Sequence, residues 1–131
     1  LRDFRIYGYD FDPHTEQLVI NEAEAEVVRQ IYTWFLQPPP GIRGLAGIAR
    51  ALNKAGVPTK RGAALWHRQV VRQILRNRTY IGEFYQNKWD TTKGRTTLRP
   101  EEEWILIPCP AIVDPQVFAE VQLRLSVNSR S

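Results

Sequence analysis

The chemistry that this sequence lacks limits what it can do. Its 131 residues contain one cysteine, two histidines and no methionine, so an intramolecular disulfide and a cysteine-rich zinc site are excluded. All three serines lie beyond residue 125, which leaves no material for a serine-based catalytic triad. No apolar run approaches the ~20 residues of a membrane span, and neither a signal peptide nor a GxGxxG or P-loop motif occurs. We therefore expect no metal, no cofactor, no membrane contact and no catalysis in this chain.

The few reactive side chains that remain form no catalytic pair in the sequence. Cys109 lies between two prolines with no histidine nearby, and a thiol without a neighbouring base stays protonated. His14 and His67 are too few for a histidine-based metal site. The acidic runs at 22–26 and 101–103 place neighbours on different sides of a helix or strand, so we interpret them as solvated acids.

Positive charge is concentrated in the middle of the chain. The sequence has 18 basic and 14 acidic residues, a net charge of +4. Residues 1–36 contain three basic and seven acidic residues (net −4), residues 37–99 contain thirteen and two (net +11), and residues 100–131 contain two and five (net −3). A basic segment of this size with acidic flanks is typical of a polyanion-binding protein, and we favour nucleic acid over a merely solvated basic face.

The apolar pattern predicts an α/β (α+β) domain that is mostly helical. Apolar residues recur at three- and four-residue spacing in four segments, which predicts helices over about 22–36, 44–55, 66–77 and from residue 115 onward. Strands at 80–87 and 104–107 are expected to form a small antiparallel hairpin, and residues 1–20 an extended segment or hairpin around a turn at 12–15. The polar, basic segment 88–100 is predicted to be a mobile loop.

Capping residues indicate where these helices begin and end. Asn21 is a typical N-cap, and Glu24 three residues later is the expected partner in a capping box. Gly56 stands where the second helix should end in a left-handed conformation. Asp114 and Pro115 suit the N-cap and the first position of the last helix.

The third predicted helix carries side chains that can read DNA. Its apolar residues are expected to face the core, and its polar face contains His67, Arg68, Gln69, Arg72, Gln73 and Arg76. Arginine can grip guanine, and glutamine adenine, through paired hydrogen bonds. The helices at 44–55 and 66–77 form a loose helix-turn-helix-like arrangement, because their connection of about ten residues exceeds the usual turn. An ordinary basic surface helix remains the alternative interpretation.

Loop residues extend the predicted DNA-binding surface. We expect phosphate contacts from Lys60, Arg61, Lys88, Lys93, Arg95 and Arg99. Trp34, Trp66 and Trp104 have apolar neighbours and are predicted to lie in the core. Trp89 stands among polar residues and is the candidate for an exposed aromatic side chain on which a base could stack.

Two segments resemble a known family. Residues 45–59 read LAGIARALNKAGVPT and continue through Arg61-Gly62 and Trp66, and residues 71–82 read VRQILRNRTYIG. Together with YGY at 7–9, the glutamate-rich first helix and PAIVDP at 110–115, they are similar to the recombinase domain of the large serine recombinases. That family comprises phage integrases, transposases and DNA invertases. The resemblance covers nearly the whole chain, in the same order.

The resemblance implies a division of labour. In this family a separate N-terminal domain carries the nucleophilic serine, the recombinase domain binds the attachment site, and a zinc-ribbon domain lies further on. Residues 1–131 would then be the middle module of a longer polypeptide, which the start at Leu1 and the lack of methionine fit. The implied partners are double-stranded DNA and the other domains of that polypeptide, which would act as a dimer or tetramer in the cytoplasm of a bacterium. The chain itself would not be an enzyme.

One position departs from the family pattern. The family usually has serine or threonine after the tryptophan, where it caps the third helix, whereas His67 follows Trp66 here. A lost cap costs typically ~1 kcal/mol, and His67 is expected either to cap weakly or to contact phosphate. Two other hypotheses stay open: a free-standing helix-turn-helix-type transcriptional regulator, and a protein-interaction module whose basic face docks an acidic partner.

Overall fold

The four helices form where the apolar periodicity predicts them, except that the third begins two residues later than expected. The computed structural model describes residues 6–60, 65–86, 89–90, 97–98, 100–103 and 105–128. Its helices are α1 (Glu22–Leu36), α2 (Gly44–Lys54), α3 (Arg68–Arg76) and α4 (Pro115–Asn128). Helix α1 contacts the other three, and α3 also contacts α2 and α4. The chain is therefore a mostly helical α+β domain, as the sequence predicts.

Short antiparallel strand pairs accompany the helices in the described residues. Strand β1 (Tyr9–Asp12) pairs with β2 (Gln17–Ile20), so residues 1–20 contain the predicted hairpin. Strand β3 (Glu83–Gln86) pairs with β6 (Ile105–Pro108), which confirms the second predicted pairing. Strands β4 (Trp89–Asp90) and β5 (Thr97–Leu98) also pair. Four residues of the segment predicted to be a mobile loop thus form a short ladder, and most of that segment lies outside the described residues.

One apolar cluster connects the helices to the N-terminal hairpin. Tyr9, Tyr32 and Tyr80 are among its largest fully buried side chains. The Tyr9 hydroxyl donates a hydrogen bond to the Thr79 carbonyl (2.9 Å), which joins β1 to the turn after α3. Gly8 has φ +100 and packs so closely that a Cβ atom would lie 3.0 Å from the Ile112 side chain. The hairpin therefore packs directly against the helical core.

The capping residues act largely as predicted, with one correction at α1. Asn21 accepts a hydrogen bond from the Glu24 backbone N–H (3.2 Å), and Asp114 accepts one from Gln116 (2.8 Å). Glu24 does not complete the capping box, because the Asn21 N–H donates to the Gly8 carbonyl (2.9 Å). The Glu24 carboxylate instead accepts from the Gly8 N–H (2.9 Å).

The predicted strand at 80–87 begins later than expected. Residues Arg78–Ile81 form a 3₁₀ turn, started by the Asn77 side chain, which accepts from the Thr79 N–H (3.0 Å). Gly82 follows at φ +96, a left-handed conformation that suits glycine. The Tyr80 carbonyl accepts from Ile112 and Val113 (both 2.9 Å), so a long-range contact overrides the strand preference of these residues.

Candidate nucleic-acid interface

Helix α3 buries one side and exposes the predicted polar side. Val71, Ile74 and Leu75 are buried in the core. Five polar residues of the predicted face are exposed and Arg72 is half-buried; the exposed ones are His67, Arg68, Gln69, Gln73 and Arg76. The apolar residues at three- and four-residue spacing thus fix which side of α3 faces outward. A rigid helix therefore displays the predicted side chains together.

The arginines of α3 form no ion pairs with the residues that the structure describes. Across the part of the chain that the structure describes, Arg68, Arg72 and Arg76 contact no carboxylate. By contrast, Arg78 just beyond the helix binds Glu83 through two hydrogen bonds (2.9 and 3.1 Å). Guanidinium groups that lack an internal partner keep all their donors available for a phosphate or a base edge.

The start of α3 has no side-chain cap. His67 occupies the N-cap position with extended backbone (φ −125, ψ 155), and its side chain makes no capping hydrogen bond. The cost expected from replacing serine or threonine at this position therefore has a structural basis. The imidazole is exposed, beside the backbone N–H groups and the positive end of the helix dipole, where an anion is favoured.

A contact that sequence reasoning missed supports this uncapped helix start. The Asn53 side chain on α2 accepts a hydrogen bond from the Trp66 N–H (2.8 Å) and donates one to the Trp66 carbonyl (2.9 Å). The amide thus binds both backbone groups of the residue that precedes His67. The only signal in the sequence is an asparagine in the last turn of a helix, which by itself indicates nothing about a partner thirteen residues later.

Trp66, which precedes the N-cap of α3, is buried in the core, as predicted. It is 2% exposed, its indole N–H donates to the Val57 carbonyl (3.0 Å), and its ring packs edge-on against Tyr7 at 5.0 Å. Trp34 is partly buried against the same core. The connection between α2 and α3 is therefore held at both ends, although it is too long for a tight turn.

Lys60 is the predicted phosphate contact whose surroundings differ most from expectation. Its ammonium group lies 2.8 Å from Glu24 and 3.1 Å from Asp10, and it also donates to the Tyr9 carbonyl. The side chain is only 18% exposed. Lys60 thus joins the hairpin, α1 and the α2–α3 connection, and its charge is already neutralised within the protein.

The predicted loop contacts lie outside the described residues: Arg61, Lys88, Lys93, Arg95 and Arg99. Trp104, which was predicted to lie in the core, is also outside them. For Trp89 the structure describes the backbone, in β4, and not the side chain. The proposed DNA contacts of the loop cations and of Trp89, and the core position of Trp104, stay predictions.

The described residues also bear on thiol reactivity, metal binding and membrane spanning. Burial raises the pKa of the Cys109 thiol, which disfavours the reactive thiolate. The ranges that the structure describes hold no group of three histidine, cysteine or acidic side chains able to bind a metal. No helix in those ranges is both long and apolar enough to cross a bilayer.

This chain is similar in sequence to a family of known proteins. Residues 22–128 match the family model named Recombinase. A protein of Bacillus subtilis (strain 168) named "Putative DNA recombinase" is 40% identical over 141 residues, a match that covers 99% of this chain and 28% of that protein. The chain thus spans less than a third of that relative.

Two solved structures have a similar fold. One is described as "Sequence Requirements of the Listeria innocua prophage attP site" (TM-score 0.64, 21% identity, 93% of this chain and 42% of that one). The other is described as "Crystal Structure of a LSR-DNA Complex" (TM-score 0.63, 21% identity, 95% and 34%). These two structures support the fold, and the family match over most of the chain supports membership. This chain therefore belongs to the Recombinase family.

Proposed function

We propose that this chain is the duplex-DNA-binding module of a site-specific serine recombinase. It would recognise the attachment site for integration, inversion or excision, and a separate N-terminal catalytic domain would cleave the strands. The observation that carries the proposal is the acid-free, largely exposed polar face of α3, whose three arginines contact no carboxylate among the described residues. The family, the DNA recombinase of Bacillus and the neighbours described with attP and DNA support it.

The dimensions of α3 suit insertion into the major groove. An α-helix with its side chains is about 10–12 Å across, and the major groove of B-DNA is about 12 Å wide and admits one helix. Arg68, Arg72 and Arg76 recur every fourth residue and therefore share one side of the helix. In this position Arg72 and Gln73 would meet base edges, while His67 at the helix start would meet a phosphate.

The first test is the variant Arg72→Ala. We expect it to weaken binding to the cognate duplex by ~1–3 kcal/mol and to relax the preference at one base position, because an arginine that reads guanine cannot be replaced by solvent. The cognate sequence would first be selected from a random-sequence duplex library with the wild-type domain. Fluorescence anisotropy on the selected and an unselected duplex measures both effects.

Arg29→Ala is the matched control, because Arg29 is a cation of α1 whose guanidinium lies 2.6 Å from Glu26. It should leave both affinities unchanged. Equal losses on both duplexes for Arg72→Ala would make Arg72 a phosphate contact. No salt-sensitive retention of any duplex by the wild type would contradict DNA binding and favour the protein-interaction hypothesis.

The role of the rest of the polypeptide belongs to the same proposal. The relatives are longer than this chain, and the catalytic serine, the dimer or tetramer on DNA and the other domains would be supplied by the parent protein in the bacterial cytoplasm. The sequence of the gene upstream tests this: a serine-recombinase catalytic domain should precede Leu1. A gene without one would favour the free-standing regulator.

A further inference from the structure

The cations of the central segment fall into two groups. Residues 27–82 contain no aspartate or glutamate. Arg29, Lys60 and Arg78 still find acidic partners from outside or at the edge of that segment. Six other cations contact no carboxylate in the part of the chain that the structure describes: Arg43, Arg50, Lys54, Arg68, Arg72 and Arg76. Three of these six belong to α3, and the other three belong to α2 and its N-cap.

The outward side of α2 has an unusual composition. From the N-cap to the residue after the C-cap, every exposed position is glycine, alanine, arginine or lysine: Arg43, Gly44, Ala46, Arg50, Lys54, Ala55 and Gly56. The apolar residues Ile48 and Leu52 lie on the opposite side, in the core. This outward side therefore carries positive charges among small side chains, so that a large polyanion can approach the helix closely.

The charge arrangement is unfavourable in the free protein. Arg50 and Lys54 are one helical turn apart and both exposed, and like charges at this spacing repel each other. Helix α2 itself contains no acidic residue to offset them. A bound row of phosphates would relieve this repulsion and would release the counterions that the phosphates hold.

We propose that the outward side of α2 is a second contact surface for duplex DNA, in which Arg43, Arg50 and Lys54 bind the phosphate backbone. The proposal rests on the DNA-binding function proposed for α3. It gives the two helices, which contact each other, different tasks. Helix α3 reads the sequence, and α2 supplies affinity that does not depend on sequence.

The length of the surface is compatible with several phosphates. Arg43 and Lys54 are eleven residues apart along α2, a distance of about 16 Å along the axis. Each strand of B-DNA carries one phosphate per about 3.4 Å of its axis. A groove of about 570 Å³ is lined by Arg50 and Lys54 together with residues between Pro40 and Ala55, so both cations border open space at the surface.

The test compares salt dependence among three variants. Arg50→Gln/Lys54→Gln should weaken binding to a selected and to an unselected duplex by the same factor, and should reduce the slope of log affinity against log salt by about 1.8, or 0.9 for each lost contact. Arg50→Lys keeps the charge and should retain the wild-type slope. The control Arg124→Gln removes an exposed cation of α4, 3.7 Å from Glu120, and should leave the slope unchanged.

The outcomes separate this proposal from the function of α3. An unchanged slope for Arg50→Gln/Lys54→Gln, with Arg72→Ala still defective, would overturn the α2 surface and leave the proposed function intact. A loss confined to the selected duplex would show that α2 reads bases, and would also overturn the phosphate assignment. If the wild type retained no duplex at all, the proposed function itself would fail. Circular dichroism of each variant is the control that checks whether the fold is intact.

Discussion

At the scale of single residues, two polar side chains of the central segment bind other parts of the protein. Asn53 binds both backbone groups of Trp66, and Lys60 bridges Glu24 and Asp10. Both hold the α2–α3 connection, whose length would otherwise leave the orientation of α3 poorly defined. Of the predicted contacts in the described residues, only Lys60 is taken up by internal ion pairs, because acidic side chains from β1 and α1 reach it.

Asn53→Ala is expected to lower the free energy of unfolding by ~1–3 kcal/mol, because it leaves the backbone groups of the buried Trp66 without partners. Asn53→Asp keeps the acceptor but sets a carboxylate oxygen against the Trp66 carbonyl oxygen, so it should also lower the free energy of unfolding. Urea denaturation followed by tryptophan fluorescence measures both. Gln17→Ala, at an exposed position of β2, is the control and should change little. Equal stability of Asn53→Ala and the wild type would contradict the role of this amide.

At the scale of elements, capping residues and apolar periodicity predicted the helices, because helix ends depend on interactions between residues that are close in the sequence. Helices α1 and α4 begin at their predicted starts, where Asn21 and Asp114 cap them. Helix α2 also begins where predicted, without a side-chain cap, and Gly56 after it has the predicted left-handed φ of +73. The prediction failed at Tyr80 and Ile81, β-formers whose turn is fixed by backbone hydrogen bonds to residues 112 and 113. Such long-range contacts leave no periodic trace in a sequence.

The uncapped start of α3 makes His67→Ser a stabilising substitution. The extended backbone of His67 (φ −125, ψ 155) already suits an N-cap, and a serine hydroxyl there can accept a hydrogen bond from a free N–H of the first turn. The free energy of unfolding should rise by roughly 0.5–1 kcal/mol, measured by urea denaturation. His67→Ala lacks the acceptor and should give no increase. Equal stability of the two variants would mean that the first turn gains nothing from a cap.

At the scale of the whole molecule, charge segregation predicts which segment would bind DNA but not which of its cations are paired within the protein. The sequence places a net charge of +11 between residues 37 and 99. Only the fold shows that Lys60 and Arg78 reach carboxylates whereas Arg50 and Arg72 contact none in the described ranges. Pairing depends on which elements pack together, and this information is distributed over the whole chain.

The buried tyrosines predict how the whole fold responds to alkali. Burial raises the pKa of Tyr7 to about 12 and those of Tyr9, Tyr32 and Tyr80 further, and each hydroxyl donates to a backbone carbonyl. In the unfolded chain these groups release their protons near pH 10. The folded state then binds more protons than the unfolded state, so the free energy of unfolding must fall as the pH rises above about 10.

Each tyrosine contributes about 1.4 kcal/mol per pH unit, and the four together about 5.5 kcal/mol per pH unit. Since small domains are stable by roughly 5–15 kcal/mol, we expect cooperative unfolding about one to three units above pH 10, accompanied by the rise in tyrosinate absorbance. Tyr7→Phe removes one titrating group and should make the fall in stability with pH about a quarter less steep. Tyrosinate absorbance that rises fully near pH 10 while the circular dichroism of the fold persists would contradict the prediction, because the phenols would then ionise without leaving the core.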